Sequence, residues 1–484
     1  MLYLDYTDGN MRNAMFFGRE PELEQLDNFF KKPIAAIAAC CGRRRIGKST
    51  LIEHAAKGYP FYEFYGLPPR EGITNQDQLD NFSRLLSKHF SIPFVQFSDW
   101  QEAFDMLAGL TKQGNYVVFL DEISWMGGKD KDFPGKLKGV WDTQFKKNPA
   151  FKLILCGSVS SWIQENILRS KGFVGRVSLT IDLEELPLHQ ANRFWSEAPY
   201  ISSYEKFKIL CVTGGIPRYL EEINPKIDAE KNIKQLAFTA GGLLVTEFDK
   251  IFSDLFGKNA EEYQSIIRLL VHQPLSAEEI AKLLNIELSG HLSNKLTVLK
   301  ECGFLVRDYV WQEKKCLQKL SKYRLRDNYL RFYLKYIESK KELIEKKLYQ
   351  DIDLENLPNW SNIMGLQFEN LVLNNLNQIV KILGISPESL YSASPYFQNP
   401  TKSNLGCQVD LLIQTKYTLY LIEIKFCKMI GIEIIDEVIQ KIERLKIPKT
   451  VSLRPVLIYQ GELSKQILKE NFFSNLIAFD DLLT

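Results

Sequence analysis

The stretch CCGRRRIGKST, residues 40–50, constrains this chain more than any other. It follows PIAAIAAC (33–40), a continuous apolar run of the kind that forms a strand buried on both faces of a parallel sheet. It precedes TLIEHAA, which reads as a helix. Between them stands Gly42-x-x-x-x-Gly47-Lys48-Ser49. Strand, glycine loop and helix start are the context of a phosphate-binding loop. Glycines let backbone N–H groups turn inward around phosphate oxygens, and the helix start adds its positive dipole end. Residues Gly42, Arg43, Arg44, Arg45, Ile46, Gly47, Lys48, Ser49 and Thr50 are therefore the expected cofactor-binding loop. Lys48 reaches the β- and γ-phosphates, and the Ser49 hydroxyl ligates Mg²⁺. Main chain holds the phosphates, so the three arginine side chains are free to point elsewhere. They face acids on a neighbouring domain, a second subunit or a ligand, or they form a solvated basic bulge.

A nucleotide site needs a metal-organising acid on a second strand. YVVFLDEI (116–123) supplies Asp121 for the Mg²⁺ shell and Glu122 as general base toward the attacking water. A third buried strand, FKLILCGS (151–158), ends at Ser158, the expected γ-phosphate sensor, with Ser160 and Ser161 in reserve. VSLTIDLEEL (177–186) reads as the last strand of this sheet, and Arg176 before it is a candidate arginine finger.

In order along the chain, FFGREPELEQL (16–26), GRRRIGKST, VVFLDEI, LILCGSVSSWI and TGGIPRYL (213–220) resemble the archaeal-type ATPases of the STAND class, relatives of the AAA+ proteins. The resemblance spans roughly residues 15–255. It implies ATP as cofactor and a five-stranded parallel P-loop core. It also places Gly18 and Arg19 near the base or ribose, and packs Pro217 of a helical lid against adenine.

The remaining length is organised as further domains. The expected division is an ATPase core over 1–190, a helical lid over 191–257, a winged helix-turn-helix with connector over 258–349, and a C-terminal α/β domain over 350–484. In the third segment, Ser276 and Glu279 mark a capping box, and Leu292, Leu296 and Leu299 share one helix face. GFLVRDYVW and KYRLRD supply the two strands of a wing. His291, Ser293, Asn294, Lys295 and Lys300 would meet a DNA groove if this segment reads DNA; the other reading is that it packs on the lid and relays its motion.

In the C-terminal segment, QVDLLIQT (408–415) and TLYLIEIKF (418–426) form a hairpin. Glu423 and Lys425 lie two apart on one face, and the hairpin brings Asp410 beside them. Two carboxylates and a lysine in this pattern are a metal-nuclease constellation, the acids for Mg²⁺ and Lys425 for charge stabilisation or water activation. A charge trio on a surface hairpin is the alternative. With Glu369 upstream, the order Glu369, Asp410, Glu423-Ile424-Lys425 resembles the PD-(D/E)xK nuclease fold, in the domain of unknown function that follows archaeal ATPases. That likeness adds Glu369 to the metal ligands and implies a restriction-endonuclease-like fold. Val409 stands where the family has proline.

Composition narrows the partners. Sixty-one basic residues against 59 acidic leave a net charge of +2, so no strongly basic coat for nucleic acid exists. Eight cysteines include no C-x-x-C pair, which fits a reducing compartment without a disulfide framework. No apolar run approaches the ~18 residues of a membrane span, and the polar N-terminus does not read as a signal peptide, so a cytoplasmic protein is expected. The combined expectation is a Mg²⁺- and ATP-dependent switch. Its nucleotide state controls a winged-helix and nuclease-like region acting on nucleic acid, DNA rather than RNA, with a nucleotide-dependent homo-oligomer as a further possibility. The rival is a nucleotide-gated signalling or scaffold protein that cleaves nothing.

Overall fold

The structure is a computed structural model, and it describes residues 16–158, 161–311, 321–398, 400, 405–445, 447 and 450–484. Five strands, β1 (Ala36–Gly42), β2 (Phe61–Tyr65), β3 (Tyr116–Asp121), β4 (Phe151–Ser158) and β5 (Val177–Leu183), form a sheet in the order β2-β3-β4-β1-β5, parallel throughout. Every residue of β1 and β4 is buried, as continuous apolar runs require when helices cover both faces. Alternation divides them between two cores: Ala36, Ala38 and Cys40 face one side, Ile37 and Cys41 the other. Strand β4 lies between the loop strand and the acid strand, as the sensor assignment requires, and it pairs Ser158 with Gly42.

Helices Ser203–Thr213, Ala229–Ala237 and Leu243–Phe256 follow the sheet. Three more come next, Ala260–Leu269, Ala277–Leu283 and Gly290–Glu301. The capping box of Ser276 and Glu279 is formed at the second of these. An antiparallel ribbon of β6 (Leu305–Tyr309) and β7 (Ser321–Leu325) then leads to the short helix Asn328–Phe332.

The C-terminal region has its own mixed sheet. Strands β8 (Leu390–Gln398), β9 (Cys407–Thr415), β10 (Thr418–Ile430), β11 (Ser452–Leu463) and β12 (Asn475–Ala478) stand in the order β12-β11-β10-β9-β8. The β9–β10 hairpin is antiparallel, while β10–β11 and β11–β12 are parallel. Helix Trp360–Leu373 packs on β10. It starts earlier and ends sooner than the apolar periodicity over 365–379 suggests, because the chain leaves the helix at Asn374 and restarts it at Leu376.

One apolar core runs from the parallel sheet through the lid helices and the middle helices to helix 360–373. Phe207 makes the join visible: its ring packs on Phe368 and on Phe426 of β10 at centroid distances of 5.4 and 5.0 Å.

Candidate nucleotide site and C-terminal carboxylate cleft

The phosphate loop is held by close approaches that side chains forbid. A Cβ on Gly42 would stand 2.6 Å from the Leu183 carbonyl oxygen, so the loop strand can lie against β5 only with glycine there. Gly47 (φ 86°) turns in the left-handed region to start helix Lys48–Ala55. Lys48 Nζ donates to the carbonyls of Gly42 and Arg43, both at 3.1 Å, which sets the ammonium inside the loop. Ser49 Oγ donates to Asp121 Oδ2 at 2.7 Å.

Glu122 follows at the sheet edge in a left-handed conformation (φ 48°). Its carboxylate accepts from the backbone N–H and the hydroxyl of Ser158, each at 3.4 Å. Burial raises its carboxyl above the usual carboxylate range; Lys48 works against the rise and Asp121 adds to it. A cavity of about 260 Å³ opens over these groups, lined by Lys48, Ser49 and Glu122 from the core and by Pro217, Arg218 and Glu221 from above. Pro217 stands directly over the loop, its Cγ 3.9 Å from where a Gly47 Cβ would be. Arg218 and Glu221 are not legible as site residues in sequence, since their i,i+3 ion pair (3.2 Å) looks like ordinary helix surface.

The residues suit a magnesium nucleotide. The Ser49–Asp121 pair sets two hard oxygens side by side, and Mg²⁺ bound to phosphates typically takes one or two protein oxygens and keeps its waters.

The side chains of the three loop arginines, expected to point out of the cradle, each meet an acid. Arg43 is buried and ion-paired with Asp327, with Glu185 at 3.7 Å; it lines a separate cavity of about 210 Å³. Arg44 pairs with Asp254, and Arg45 Nε donates to the buried Glu247 at 2.9 Å. Arg44 and Arg45 do border the loop's cavity, but their charges are taken by acids on helix 243–256. Of the readings open in sequence, acids on neighbouring elements of the same chain are the ones realised.

Gly18 and Arg19 brace the loop from outside. The Arg19 guanidinium donates to the carbonyls of Ile46 (3.3 Å) and Glu184 (2.6 Å), and a Cβ on Gly18 would collide with Gln190. Arg176 is held by Asp142 in a two-pronged ion pair at 2.9 and 2.7 Å, away from the loop. Ser160 lies outside the described residues, as does the side chain of Ser161.

The hairpin does bring Asp410, Glu423 and Lys425 to one cleft of about 530 Å³, and helix 360–373 adds Glu369. His272 and Lys335 of the middle region complete its lining. Asp410 Oδ2 accepts from Ile424 N–H at 2.8 Å. Burial raises all three carboxyls, Glu369 to about 8 and Glu423 to about 7, with the Asp410 charge adding to each rise.

Among the described residues no group of three or more His, Cys, Asp or Glu side chains, these carboxylates included, could hold a metal ion as they stand. Lys425 Nζ, from the middle of β10, is taken by Glu437 of helix Glu433–Arg444 at 3.0 Å. The cation on the acids is instead Lys441 of that helix, 2.5 Å from Glu423. Burial lowers the Lys441 pKa, but Asp410 and Glu423 outweigh it and the net shift is upward. The signal that would have found it is weak: Lys441 follows Glu437 by four residues, on the helix side that carries Ile434 and Val438.

Comparison with known proteins finds similarity over the first region. Residues 16–223 match the family described as an ATPase domain predominantly from Archaea. An uncharacterized protein of Methanocaldococcus jannaschii, MJECL04, is 25% identical over 381 residues, covering 75% of this chain and 79% of its own. Among solved structures, the Walker-type ATPase PABY2304 of Pyrococcus abyssi aligns with a TM-score of 0.47 at 17% identity, covering 67% of this chain and 97% of that one. The Aeropyrum pernix ORC2 protein, solved in ADPNP and ADP complexes, aligns at 0.40 and 15% identity, covering 71% and 97%. Among the described residues no helix is long and apolar enough to cross a membrane. Over residues 16–223, the span that matches this ATPase-domain family, the chain forms a five-stranded parallel sheet with its glycine loop after β1.

Proposed function

We propose that this protein binds and hydrolyses Mg²⁺-ATP at the loop of residues 42–50, and that its nucleotide state governs the C-terminal cleft. The observation that carries the reading is the catalytic geometry: Ser49 on Asp121 at 2.7 Å, with Glu122 held by Ser158 on the strand between them. Loop N–H groups and Lys48 bind and orient the phosphates. Ser49 and Asp121 would hold Mg²⁺, which would supply charge stabilisation for the transferring phosphoryl group. Glu122 orients the attacking water and takes its proton, a task favoured by a carboxyl raised toward neutral pH. Pro217 and Arg218 close the cleft from the lid side.

The region downstream acts on nucleic acid, in this reading, through the three-helix-and-ribbon segment as a winged helix. Its third helix exposes His291, Ser293, Asn294 and Lys300, while Lys295 is already paired with Glu262. In the C-terminal cleft a second, non-cleaving reading has its own support: Lys441 occupies the carboxylates and Lys425 is turned to Glu437.

Calorimetry of the full chain with ATP and ADP in Mg²⁺ tests the first site, and binding is expected with both. Absence of heat with either nucleotide sinks the reading. Plasmid nicking in Mg²⁺, wild type against Asp410→Ala and Glu423→Ala, separates the two C-terminal readings; cleavage lost in both variants supports a nuclease, and none in wild type supports a binding module.

A further inference from the structure

We infer that Arg43 of the phosphate loop is the first member of a buried polar relay that carries the nucleotide state to helix 360–373, the helix that bears Glu369. This rests on the nucleotide reading above and names the route of its control.

The relay can be followed contact by contact. Lys48, the residue that reaches phosphate, donates to the Arg43 carbonyl at 3.1 Å, so phosphates and the Arg43 backbone draw on one ammonium. The Arg43 guanidinium, 5% exposed, pairs with Asp327, 1% exposed. Asp327 caps helix 328–332 by accepting from Leu330 N–H at 3.1 Å, which ties the carboxylate to that helix start. Asn328, the next residue, accepts at its carbonyl from Gln367 Nε2 (2.7 Å) and at its side chain from Asn370 Nδ2 (2.6 Å). Arg331 donates to Gln367 Oε1 at 2.8 Å. Gln367 and Asn370 flank Glu369 on helix 360–373.

Charge supplies the switch. Two acids, the buried Asp327 and the partly buried Glu185, compete for the one Arg43 guanidinium, which is closely paired with the first and 3.7 Å from the second. Asp327 belongs to the segment that reaches the C-terminal helix, whereas Glu185 lies two residues past the last strand of the parallel sheet. A small shift of the loop backbone redistributes the guanidinium between them. Because an uncompensated buried charge is costly, such a pair settles into discrete arrangements rather than drifting. Buried ionic networks add little net stability over apolar packing, so a chain of this length through the core calls for a specific role.

Hydrogen–deuterium exchange of the full chain, with and without Mg²⁺-ATP, reads the relay at peptides covering 360–373. Wild type is expected to change exchange there about fivefold or more on ATP binding, the lower end of typical coupling between sites. Asp327→Asn, outside the loop, is expected to bind ATP in calorimetry yet lose that change. Gln367→Leu, remote from the loop, is expected to lose it too, which keeps the test open should Asp327→Asn fold poorly. Arg268→Gln breaks an ion pair with Glu338 outside the relay and is expected to keep the full response. The inference is overturned if wild type binds ATP with no change at 360–373, or if the relay variants bind ATP and respond as wild type does. No ATP binding by wild type overturns the nucleotide reading itself, and the relay with it.

Discussion

Glu122 and Ser158 meet across neighbouring positions of the parallel sheet, the serine presenting both its N–H and its hydroxyl to the carboxylate at 3.4 Å. The pair ties the proposed base to the strand that ends beside the loop and carries the proposed γ-phosphate sensor. Glu122→Gln keeps shape and hydrogen bonding but cannot take a proton. It is expected to bind ATP near the wild-type affinity and to lose turnover by about 10²–10⁴-fold, as measured by phosphate release. Ser158→Ala is expected to lose less, since the base stays. Normal hydrolysis by Glu122→Gln would mean that another group is the base.

Lys48 is buried within the loop, and its ammonium donates to the carbonyl oxygens of Gly42 and Arg43. Three donors on a compact charge suit phosphate oxygens. Lys48→Ala is expected to weaken ATP by about a hundredfold, the value of one or two charge-assisted hydrogen bonds, while far-UV circular dichroism stays as in wild type. Unchanged ATP affinity would remove the loop from the site.

Arg45 sits in a left-handed conformation (φ 72°) and holds Glu247, which is 1% exposed. Truncating the arginine leaves a buried carboxylate without its cation. Arg45→Ala is expected to destabilise by about 2–3 kcal/mol, below the roughly 3–5 of a fully buried pair because Arg45 is itself partly exposed. The Glu247→Gln background should reduce this cost, since the orphan charge is then gone. Chemical denaturation of the four proteins of that cycle measures both quantities, and additive effects would show that the two residues do not interact.

The sequence makes the parallel sheet legible because its strands are uniform apolar runs and the loop motif states its own context. Asp121, Glu122 and Ser158 follow from where those runs end. The arginines are a different case: their charges are evident, but Glu247, Asp254 and Asp327 lie some 200 residues or more downstream, and only the packed core brings them together. Lys425 illustrates the limit of strand alternation, which gives the face a side chain shares but not the neighbour it takes. Lys441 and Arg218 resemble ordinary helix surface until the tertiary fold turns them into a cleft. Strands β8, β11 and β12 have no such motif to announce them, and the pairing order of the C-terminal sheet is set by contacts far apart in the chain.

The cleft acids make stability depend on pH. Glu369 in the folded chain is raised to about 8 by burial and then by Asp410, against roughly 4.3 for a glutamate in an unfolded chain. Between those values the folded state holds the extra proton, so the slope of unfolding free energy with pH is negative. The stabilisation is fully present below the unfolded value and is lost as pH rises through the folded one. Thermal unfolding from pH 5 to 9 is therefore expected to show a Tm that falls with pH. Glu369→Gln, which stays neutral, should flatten the fall by about 2–4 °C for each kcal/mol of linkage removed. Glu423, raised to about 7 and facing Asp410 and Lys441, should leave a residual slope at lower pH. Identical profiles for wild type and Glu369→Gln would show that this carboxyl does not take up its proton on folding.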